Sequence, residues 1–497
     1  MTGMFLDQRG KKMAPFLVAA PFALLAVWNL WTGYSYWLDE AYSVSTSLAT
    51  WPDLFWVWLL PDTHPPLYQV ILKLWIGVFG PGEFATRMMS AIAALVTLAV
   101  VSVHASRRGG IVLLATVCFL GSATTFAYYA QETRSYALLM MLGAIVTVQS
   151  LDRLGQSQRT TAARDLCLVL LSLTHYFGLI YAGVLLLVDV VLGNWRDRLR
   201  AMAVGAILLV WPVFHLLEGD LLGRAGKLWF PHESVLTTIA AYMAGISQSA
   251  VSVIEKSGDA GGPLVALLLG GLAAAIVAVG LWRAIRDRDR EAAYLAAVIA
   301  LFVGLLCVTD YIKPLSWPRN YIVVLPATAL LFGCVAAALA RLRDAGWWRI
   351  AIVSAVVIFA VGSTAHSVVG MTRRWMPQEN TKAVIEALDR EKLCDPRCDV
   401  VSSGGFVSFR TYAGILGSGS AFGLLQPNGT RGAEDRLVPV VIWNWPFVPS
   451  AVAETDADWH CWQPQQAWSN MAAVFVPDAR PVEGFERCSP FEAAPEQ

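Results

Sequence analysis

The sequence predicts a polytopic α-helical membrane protein with a small C-terminal α/β domain outside the membrane. Of its 497 residues, 56% are hydrophobic and only 15% are charged, which is too apolar for a soluble globular protein. The apolar residues occur in runs of about 20, the length of a helix that crosses a bilayer. From residue 372 onward the pattern changes to short apolar stretches separated by polar residues.

Basic clusters between the apolar runs set the predicted topology. Arg9, Lys11 and Lys12 precede the first run, and further clusters lie at 107–108, 153–164, 196–200, 283–290 and 341–349. By the positive-inside rule all of them belong in the cytoplasm. The crossings needed between these clusters give about eleven transmembrane helices, with a cytoplasmic N-terminus and an external C-terminus. The first apolar run is predicted to be a membrane anchor and not a cleaved signal peptide.

Each crossing moves the chain to the other side of the membrane, and this alternation assigns a side to each segment. Segment 66–79 has about 14 apolar residues, too few to cross, and is predicted as an interfacial helix within an external loop, 34–83. Segments 129–134 and 218–262 are predicted as exposed external loops, and 165–192 as a hairpin of two short helices with its tip at 174–177. The remaining predicted spans are 13–31, 84–103, 110–128, 134–151, 201–217, 263–282, 292–309, 321–340 and 350–366.

The chain therefore divides into a membrane domain, 1–371, and an external domain, 372–497. In the external domain the patterns predict a helix at 382–390 and strands at 399–402, 438–443 and 472–476. Four cysteines lie in apolar runs and four in this domain: Cys394, Cys398, Cys461 and Cys488. Two disulfides in an oxidising compartment are favoured over a metal site, with the pairing left open.

Adjacent carboxylates after the first span are the first candidate site. Asp39 and Glu40 emerge on the external face, where a lipid headgroup and an aqueous substrate can meet. Arginines on the same face suit a phosphate, and a carboxylate suits deprotonation of an attacking hydroxyl. The external charged set is Asp39, Glu40, Asp62, His64, Glu83, Arg87, Glu132, Arg134, His175, Lys227, Lys313 and Arg319.

Each of these residues also has a purely structural interpretation. Asp39 and Glu40 fit a solvated helix end, and Glu83 with Arg87 fits an ordinary i, i+4 ion pair. His175 fits a core histidine with its hydrogen bonds satisfied. The many tryptophans at loop edges fit an interfacial aromatic belt.

Six motifs in order give the chain a resemblance to a known family. They are WLDEAYS at 37–43, DTHPPLY at 62–68, FGPGEFATR at 79–87, YAQETRSY at 129–136, THYF at 174–177 and PRNY at 318–321. Together they resemble the bacterial GT-C glycosyltransferases, in the family 39-like branch that includes protein O-mannosyltransferases and the lipid A aminoarabinose transferase. The resemblance covers about residues 13–340 and implies a GT-C-like membrane domain.

What the resemblance implies is an inverting transfer from a polyprenyl-phosphate sugar. Asp39, with Glu40 beside it, occupies the catalytic position. The donor-phosphate ligands are expected among Arg87, Arg134, His64, Arg319 and Lys227, and further substrate contacts among Asp62, Glu83, Glu132, Tyr136 and His175. Arg134 stands where some relatives carry acidic residues, so no metal site is carried over. No cofactor is required; a divalent metal is possible but not indicated.

The expected partners are the lipid-linked donor, membrane lipids and an envelope acceptor, with no nucleic acid. The acceptor class stays open among lipopolysaccharide, glycolipid, polysaccharide and protein, and the expected location is a bacterial inner membrane. Two other functions stay open. A flippase or transporter of a lipid-linked sugar would also gather basic residues at a membrane, although it favours charges near the midplane. A non-catalytic scaffold would tolerate loss of Asp39.

Overall fold

In the computed structural model, helices account for most of the described chain. The described residues are 8–31, 35–155, 161–219, 277–312, 318–341, 346–373, 381–392, 394, 397–401, 403–419, 421–425, 439–443, 460–464, 472–476, 483 and 485–487.

The first half of the chain is built from twelve described helices and a π-helical segment, Leu54–Leu59. They are α1 Gln8–Val27, α2 Leu38–Leu48, α3 Trp51–Asp53, α4 Leu67–Phe79, α5 Glu83–Arg108, α6 Gly110–Gly121, α7 Thr124–Tyr129, α8 Tyr136–Gly155, α9 Thr161–Thr174, α10 Tyr176–Leu192, α11 Trp195–Leu208 and α12 Val210–Glu218.

The second half continues with helices and then a sheet. Its helices are α13 at 277–286, α14 Arg290–Ile312, α15 Leu325–Ala340, α16 Gly346–Arg373, α17 Thr381–Arg390 and α18 Ser403–Leu416, with a 3₁₀ segment at Pro318–Val323. Its strands are β1 Cys398–Val401, β2 Phe422–Leu425, β3 Val440–Trp443, β4 His460–Pro464, β5 Ala472–Val476 and β6 Phe485–Arg487.

These helices confirm a polytopic membrane fold. Among the described residues, five helical stretches are long and apolar enough to cross a bilayer, and shorter apolar helices accompany them. The hairpin predicted in 165–192 is present as α9 and α10. The predicted helix in 66–79 is α4, whose 13 residues are too few to span.

Some predicted spans are divided in the structure: 110–128 into α6 and α7, 201–217 into α11 and α12, and 321–340 into the 3₁₀ segment and α15. Nearly all of the predicted loop 218–262 and most of the predicted span 263–282 lie outside the described residues. Segment 110–128 is not a single helix, because α6 ends at Gly121 and α7 begins at Thr124. Gly121 packs directly on Phe22 of α1, where an added Cβ would lie 2.2 Å from the ring. The close approach of the two helices explains why glycine ends α6 here.

The chain divides into two compact units. The first contains Met1–Leu30, Thr50–Ile71 and Arg87–Trp375, and the second contains Trp31–Ala49, Leu72–Thr86 and Met376–Gln497. Part of the predicted external loop 34–83 is therefore grouped with the C-terminal residues. Each unit is described by itself below.

The core of the first unit is made by close helix packing. Gly333 of α15 lies against α6, where an added Cβ would be 2.8 Å from the carbonyl oxygen of Val112. Phe119 and Phe332 pack beside this contact with ring centroids 4.7 Å apart. Small residues permit such approaches between membrane helices, where packing rather than hydrophobic burial drives association.

Ion pairs connect the helix ends at one end of this unit. Arg108 of α5 pairs with Asp289 at 2.8 Å, and Arg153 of α8 pairs with Asp197 at 3.2 Å. Arg107 lies 3.7 Å from Asp152. Four of the basic clusters used for the topology therefore share one end of the helix bundle.

The second unit contains a six-stranded mixed sheet in the order β2-β1-β3-β5-β4-β6. β1 is parallel to β2 and β3, whereas β5 is antiparallel to β3 and β4, and β6 is antiparallel to β4. The predicted helix at 382–390 and the three predicted strands are present, as α17, β1, β3 and β5. The sequence patterns missed α18 and the short strands β2, β4 and β6.

The C-terminal cysteines are disulfide-bonded where the structure describes them. Cys394 and Cys398 are bonded to each other, with their Cα atoms 4.7 Å apart, and Cys461 is also in a disulfide. The C-x-x-x-C spacing is therefore a disulfide rather than a pair of metal ligands. The four other described cysteines, all in apolar helices, are free thiols.

Candidate functional site

The turn that follows the π-helix carries an aspartate–histidine pair. The Nδ1 of His64 donates to the Oδ2 of Asp62 over 3.1 Å, and the Thr63 N–H donates to the Oδ1 of Asp62 over 2.7 Å. Burial by itself raises the pKa of Asp62, but His64, the Thr63 N–H and Arg134 together hold that pKa below its usual value. Asp62 is therefore an anion that orients the imidazole of His64.

A second histidine lies beside this pair. His175 caps the N-terminus of α10, its Nδ1 accepting a 3.2 Å hydrogen bond from the Phe177 N–H, and its ring meets that of His64 edge-on at 5.3 Å. Burial is the largest effect that lowers the pKa of His175, and His64, Arg134 and Arg319 lower it further against an opposing effect of Asp62. The imidazole is accordingly neutral at pH 7, with its proton on Nε2.

Two arginines from distant segments converge on one tyrosine. The guanidinium carbon of Arg134 lies 6.0 Å from the Tyr136 ring centroid, and that of Arg319 lies 5.7 Å from the same centroid. Tyr136 is buried and its ring lies 5.9 Å from that of His175. Two guanidiniums beside one ring can both donate hydrogen bonds to a common anion such as a phosphate.

The segment predicted as an exposed loop at 129–134 is buried instead. Glu132 and Arg134 are only 4% and 8% exposed. The segment is fastened to neighbouring helices: the Ser90 hydroxyl of α5 donates to the Glu132 backbone carbonyl over 2.6 Å, and the Gln131 side-chain amide donates to the Leu25 carbonyl of α1 over 3.2 Å. A polar segment can be buried in this way because its hydrogen bonds are made by the surrounding helices.

Arg87 lies on the helix that fastens this segment. It is one of the largest fully buried side chains, at 2% exposure. Because Arg87 precedes Ser90 by three residues in α5, both lie on the same helix face, the face that contacts the Glu132 backbone. A guanidinium so deeply buried requires a paired or hydrogen-bonded environment.

The adjacent carboxylates Asp39 and Glu40 lie in the first turn of α2, in the second unit. Glu40 is 2% exposed, and its Oε2 accepts from the Trp37 N–H over 3.4 Å, which makes it part of the helix N-terminal cap. Asp39 is partly exposed and stands next to it. Of the two, Asp39 is the more exposed carboxylate.

Within the same unit, side chains from its C-terminal part fix the segment before α2. The Tyr412 hydroxyl of α18 donates to Glu83 over 2.9 Å and accepts from the Tyr36 N–H. The Tyr36 hydroxyl in turn donates to the Pro81 carbonyl over 2.6 Å, and Lys382 lies 3.9 Å from Glu83. Glu83 is thus part of a structural network in the second unit.

The candidate residues therefore fall into three groups. The structure brings Asp62, His64, Arg134, Tyr136, His175 and Arg319 together in the first unit. Arg87 and Glu132 also lie buried in the first unit. The structure places Asp39, Glu40 and Glu83 in the second unit, and Lys227 and Lys313 lie outside the described residues. Among the residues that are described, no group of three or more His, Cys, Asp or Glu side chains is placed to hold a metal ion.

The sequence patterns missed the residues that support these groups. Tyr412 sits in a helix that no pattern had indicated. His215 contacts both Tyr176 and Leu60, although it had been treated only as part of a membrane span. The presence of one histidine in an otherwise apolar helix could have indicated this role, because an ionisable residue within a membrane span usually has a partner.

Comparison with solved structures identifies the fold. ArnT from Cupriavidus metallidurans matches in its apo state with a TM-score of 0.57 and in its undecaprenyl phosphate-bound state with 0.55, each at 15% identity over 93% of this chain and 98% of that protein. Arabinofuranosyltransferase AftD from Mycobacteria matches with 0.51 at 13% identity, over 96% of this chain but 40% of that one.

A third similar fold is the oligosaccharyltransferase of Archaeoglobus fulgidus in its apo form, with a TM-score of 0.51 and 11% identity over 97% of this chain and 76% of that protein. No family model and no curated protein sequence matches the chain. The fold is therefore that of GT-C glycosyltransferases, as the motif resemblance implied.

Proposed function

We propose that this protein is an inverting membrane glycosyltransferase that moves a sugar from a polyprenyl-phosphate donor to a hydroxyl of a cell-envelope acceptor. The acceptor classes are lipopolysaccharide, glycolipid, polysaccharide and protein. The observation that carries the proposal is the convergence of Arg134 and Arg319 on Tyr136, next to His64 and His175, within a GT-C fold.

The composition of this cluster suits a lipid-linked monophosphate. Guanidiniums donate two parallel hydrogen bonds to phosphate oxygens, and His64, oriented by Asp62, is assigned as a further phosphate ligand. An aromatic ring such as Tyr136 offers a face to a sugar or to the cations around it. The bound-state ArnT structure, which holds undecaprenyl phosphate, supports this ligand class for the fold.

The proposed reaction is a single in-line displacement. Asp39 accepts the proton of the acceptor hydroxyl as its oxygen forms a bond to the anomeric carbon, and the bond from that carbon to the phosphate oxygen breaks. The electron pair leaves with the polyprenyl phosphate, whose added negative charge is stabilised by Arg134 and Arg319, with Arg87 and Lys227 as further assigned ligands. These arginines supply the charge stabilisation, so the step requires no divalent cation.

The proposed location is a bacterial inner membrane with the reaction on the extracytoplasmic face. The basic clusters that share one end of the first unit support a cytoplasmic assignment for that end. The disulfides of the C-terminal part support an oxidising compartment for that part.

Direct binding of undecaprenyl phosphate to the purified protein in detergent tests the phosphate site. Arg134→Ala and Arg319→Ala should each weaken binding by roughly tenfold to a hundredfold, because each removes a charge-assisted hydrogen bond. Arg134→Lys should recover only part of the loss, since an ammonium lacks the planar fork. Arg107→Ala, which removes a largely exposed arginine beside Asp152, is the matched control.

Equal affinities for wild type, both arginine variants and the control would contradict the assigned phosphate ligands. Absence of any binding by the wild type, with the protein still folded by thermal melting, would contradict the donor class itself.

A further inference from the structure

His215 connects two segments of the candidate site although it lies in the apolar helix α12. Its side chain is completely buried. The Nε2 of His215 lies 3.0 Å from the Leu60 carbonyl oxygen, and the Nδ1 lies 2.6 Å from the Tyr176 hydroxyl. A carbonyl only accepts, so Nε2 donates to Leu60, and Nδ1 shares the second hydrogen bond with the Tyr176 hydroxyl.

Both partners of His215 are neighbours of site residues along the chain. Tyr176 directly follows His175, and Leu60 stands two residues before Asp62. Leu60 also follows the π-helix, where terminal carbonyls lack partners within the helix. The imidazole N–H of His215 supplies that missing partner, and thereby fixes the start of the turn that carries Asp62 and His64.

The backbone of α12 approaches this turn as closely as the side chain does. Gly219 directly follows α12, and a Cβ added there would lie 2.6 Å from the Leu60 oxygen and 2.5 Å from the His215 ring. Only glycine fits at this distance. The contact is therefore a second, independent observation that the end of α12 is packed directly on the turn.

These contacts form a closed circuit. It runs from Leu60 along the turn to His64, across the 5.3 Å ring contact to His175, through Tyr176 to His215, and back to the Leu60 carbonyl. Because the circuit closes, a shift of either histidine disturbs contacts that help to hold the other.

We propose that His215 is a positioning residue, which sets His64 and His175 in one arrangement for binding the donor phosphate. The inference rests on the proposed function, because it assigns His215 a role in that same phosphate site. His215 itself need not touch the lipid. Its effect passes through Leu60 to the Asp62–His64 turn and through Tyr176 to His175.

A double-mutant cycle on undecaprenyl phosphate affinity tests this role. His64→Ala should weaken binding by roughly tenfold. The asparagine in His215→Asn keeps an acceptor near the Nδ1 position but is too short to donate to the Leu60 carbonyl. Loss of that hydrogen bond should displace His64 and weaken binding by a similar factor. The double variant should then lose less affinity than the product of the two single losses, because the part of the His215 effect that passes through the Asp62–His64 turn is already lost in His64→Ala.

The matched control uses a second buried histidine. His104, in α5, is 5% exposed and lies 3.6 Å from Asp152 and 3.4 Å from Glu291, among the ion pairs described above. In the His104→Asn background, His64→Ala should keep its full effect. If His64→Ala has its full effect in the His215→Asn background as well, the two residues are independent and the positioning role is overturned.

A second measurement, NMR of the histidine ring nitrogens, needs no bound lipid. It tests the inference even if His215→Asn fails to fold, because it uses a different variant. In ¹⁵N-histidine-labelled protein, Tyr176→Phe should shift the ring-nitrogen signals of both His64 and His175. Tyr181→Phe removes a fully buried hydroxyl from the same helix, bonded to Thr147 at 2.7 Å, and should leave those signals in place. Unchanged His64 and His175 signals in Tyr176→Phe would overturn the inference.

The two measurements also separate the inference from the proposed function. A wild-type protein that binds no undecaprenyl phosphate refutes the donor class and with it the phosphate role of His215. Signals that shift in Tyr176→Phe would then still establish the structural link between the two histidines.

Discussion

At the scale of single residues, the histidine pair is the part of the site where charge is most strongly controlled. His175 is held neutral by burial and by the cations around it, whereas His64 is oriented by a carboxylate that keeps its charge. Two chemically identical side chains, 5.3 Å apart, therefore have different surroundings. His175 caps the N-terminus of α10, and His64 is held by Asp62 in the turn beside it.

The lowered pKa of His175 has a consequence for stability. Because the unfolded chain takes up a proton near pH 6.5 and the folded chain does not, folding is favoured above that pH and loses stability as the pH falls below it. Asp62, whose pKa is also lowered, acts only below about pH 4. His175→Gln should reduce the pH dependence by at most about 1.4 kcal/mol per pH unit between pH 6 and 5.

Thermal unfolding of wild type and His175→Gln in detergent at pH 7, 6 and 5 measures this difference. The loss of melting temperature on acidification should be smaller in the variant. Equal losses in the two proteins would show that His175 takes up a proton in the folded state.

In the second unit, the Tyr412 hydroxyl joins α18 to the segment before α2. Tyr412→Phe keeps the ring, which packs 5.5 Å from that of Tyr36, but removes the donor to Glu83 and the acceptor for the Tyr36 N–H. Loss of buried hydrogen-bond partners should lower the free energy of unfolding by about 1–3 kcal/mol. Chemical unfolding measures it, with the 78% exposed Tyr311, as Tyr311→Phe, for comparison.

If Tyr412→Phe is as stable as Tyr311→Phe, the hydroxyl has no role in holding the segment that carries Asp39. A selective loss would instead support Tyr412 as part of the frame on which α2 is built.

At the scale of secondary-structure elements, the glycines of α14 and α15 offer a matched pair. Gly333→Ala would push a methyl group into the Val112 backbone of α6, since the added Cβ would lie 2.8 Å from its oxygen, and should cost about 1–3 kcal/mol of stability. Gly304→Ala meets nothing within 4 Å and should be neutral or slightly stabilising, because alanine is the better helix former.

Thermal melting of the two variants in the same detergent distinguishes these effects. Similar melting temperatures for Gly333→Ala and Gly304→Ala would contradict the close contact between α6 and α15.

The sequence patterns predicted elements well where one physical constraint dominates. Bilayer thickness and basic flanks gave most membrane helices and the α9–α10 hairpin, because hydropathy is read over about 20 residues at a time. The break between α6 and α7 was missed because it depends on contact between Gly121 and Phe22 of another helix. Short strands such as β2 and β6 were missed because three or four residues carry little periodicity.

In the site, too, the sequence predicted the residue types but not the contacts between distant segments. Motifs identified the residues of the cluster, including Arg134, Tyr136 and His175, since those residue types suit a phosphate. They gave no sign that segment 129–134 is buried, because its hydrogen bonds go to helices far away in the chain. His215 was missed for the same reason, as its partners lie 39 and 155 residues away.

At the scale of the whole molecule, the chain combines a GT-C fold with two sets of chemically suited residues. One unit holds the cationic and imidazole cluster, and the other holds α2 with Asp39 beside the buried Glu40. The similarity to solved structures extends over nearly the whole chain, with 93% covered in the comparison with ArnT. The central claim is that Asp39 performs the proton transfer of a sugar transfer from a lipid phosphate.

Mass spectrometry of envelope glycans and lipids tests this claim most directly, in cells with the wild-type protein, without the protein, or with Asp39→Asn, which keeps the shape of the side chain and removes its basicity. We predict that both defective strains lose one defined sugar from the envelope and accumulate the corresponding polyprenyl-phosphate sugar. A normal envelope in the Asp39→Asn strain, with the sugar missing only in the deletion strain, would contradict Asp39 as the base and favour transport or scaffolding.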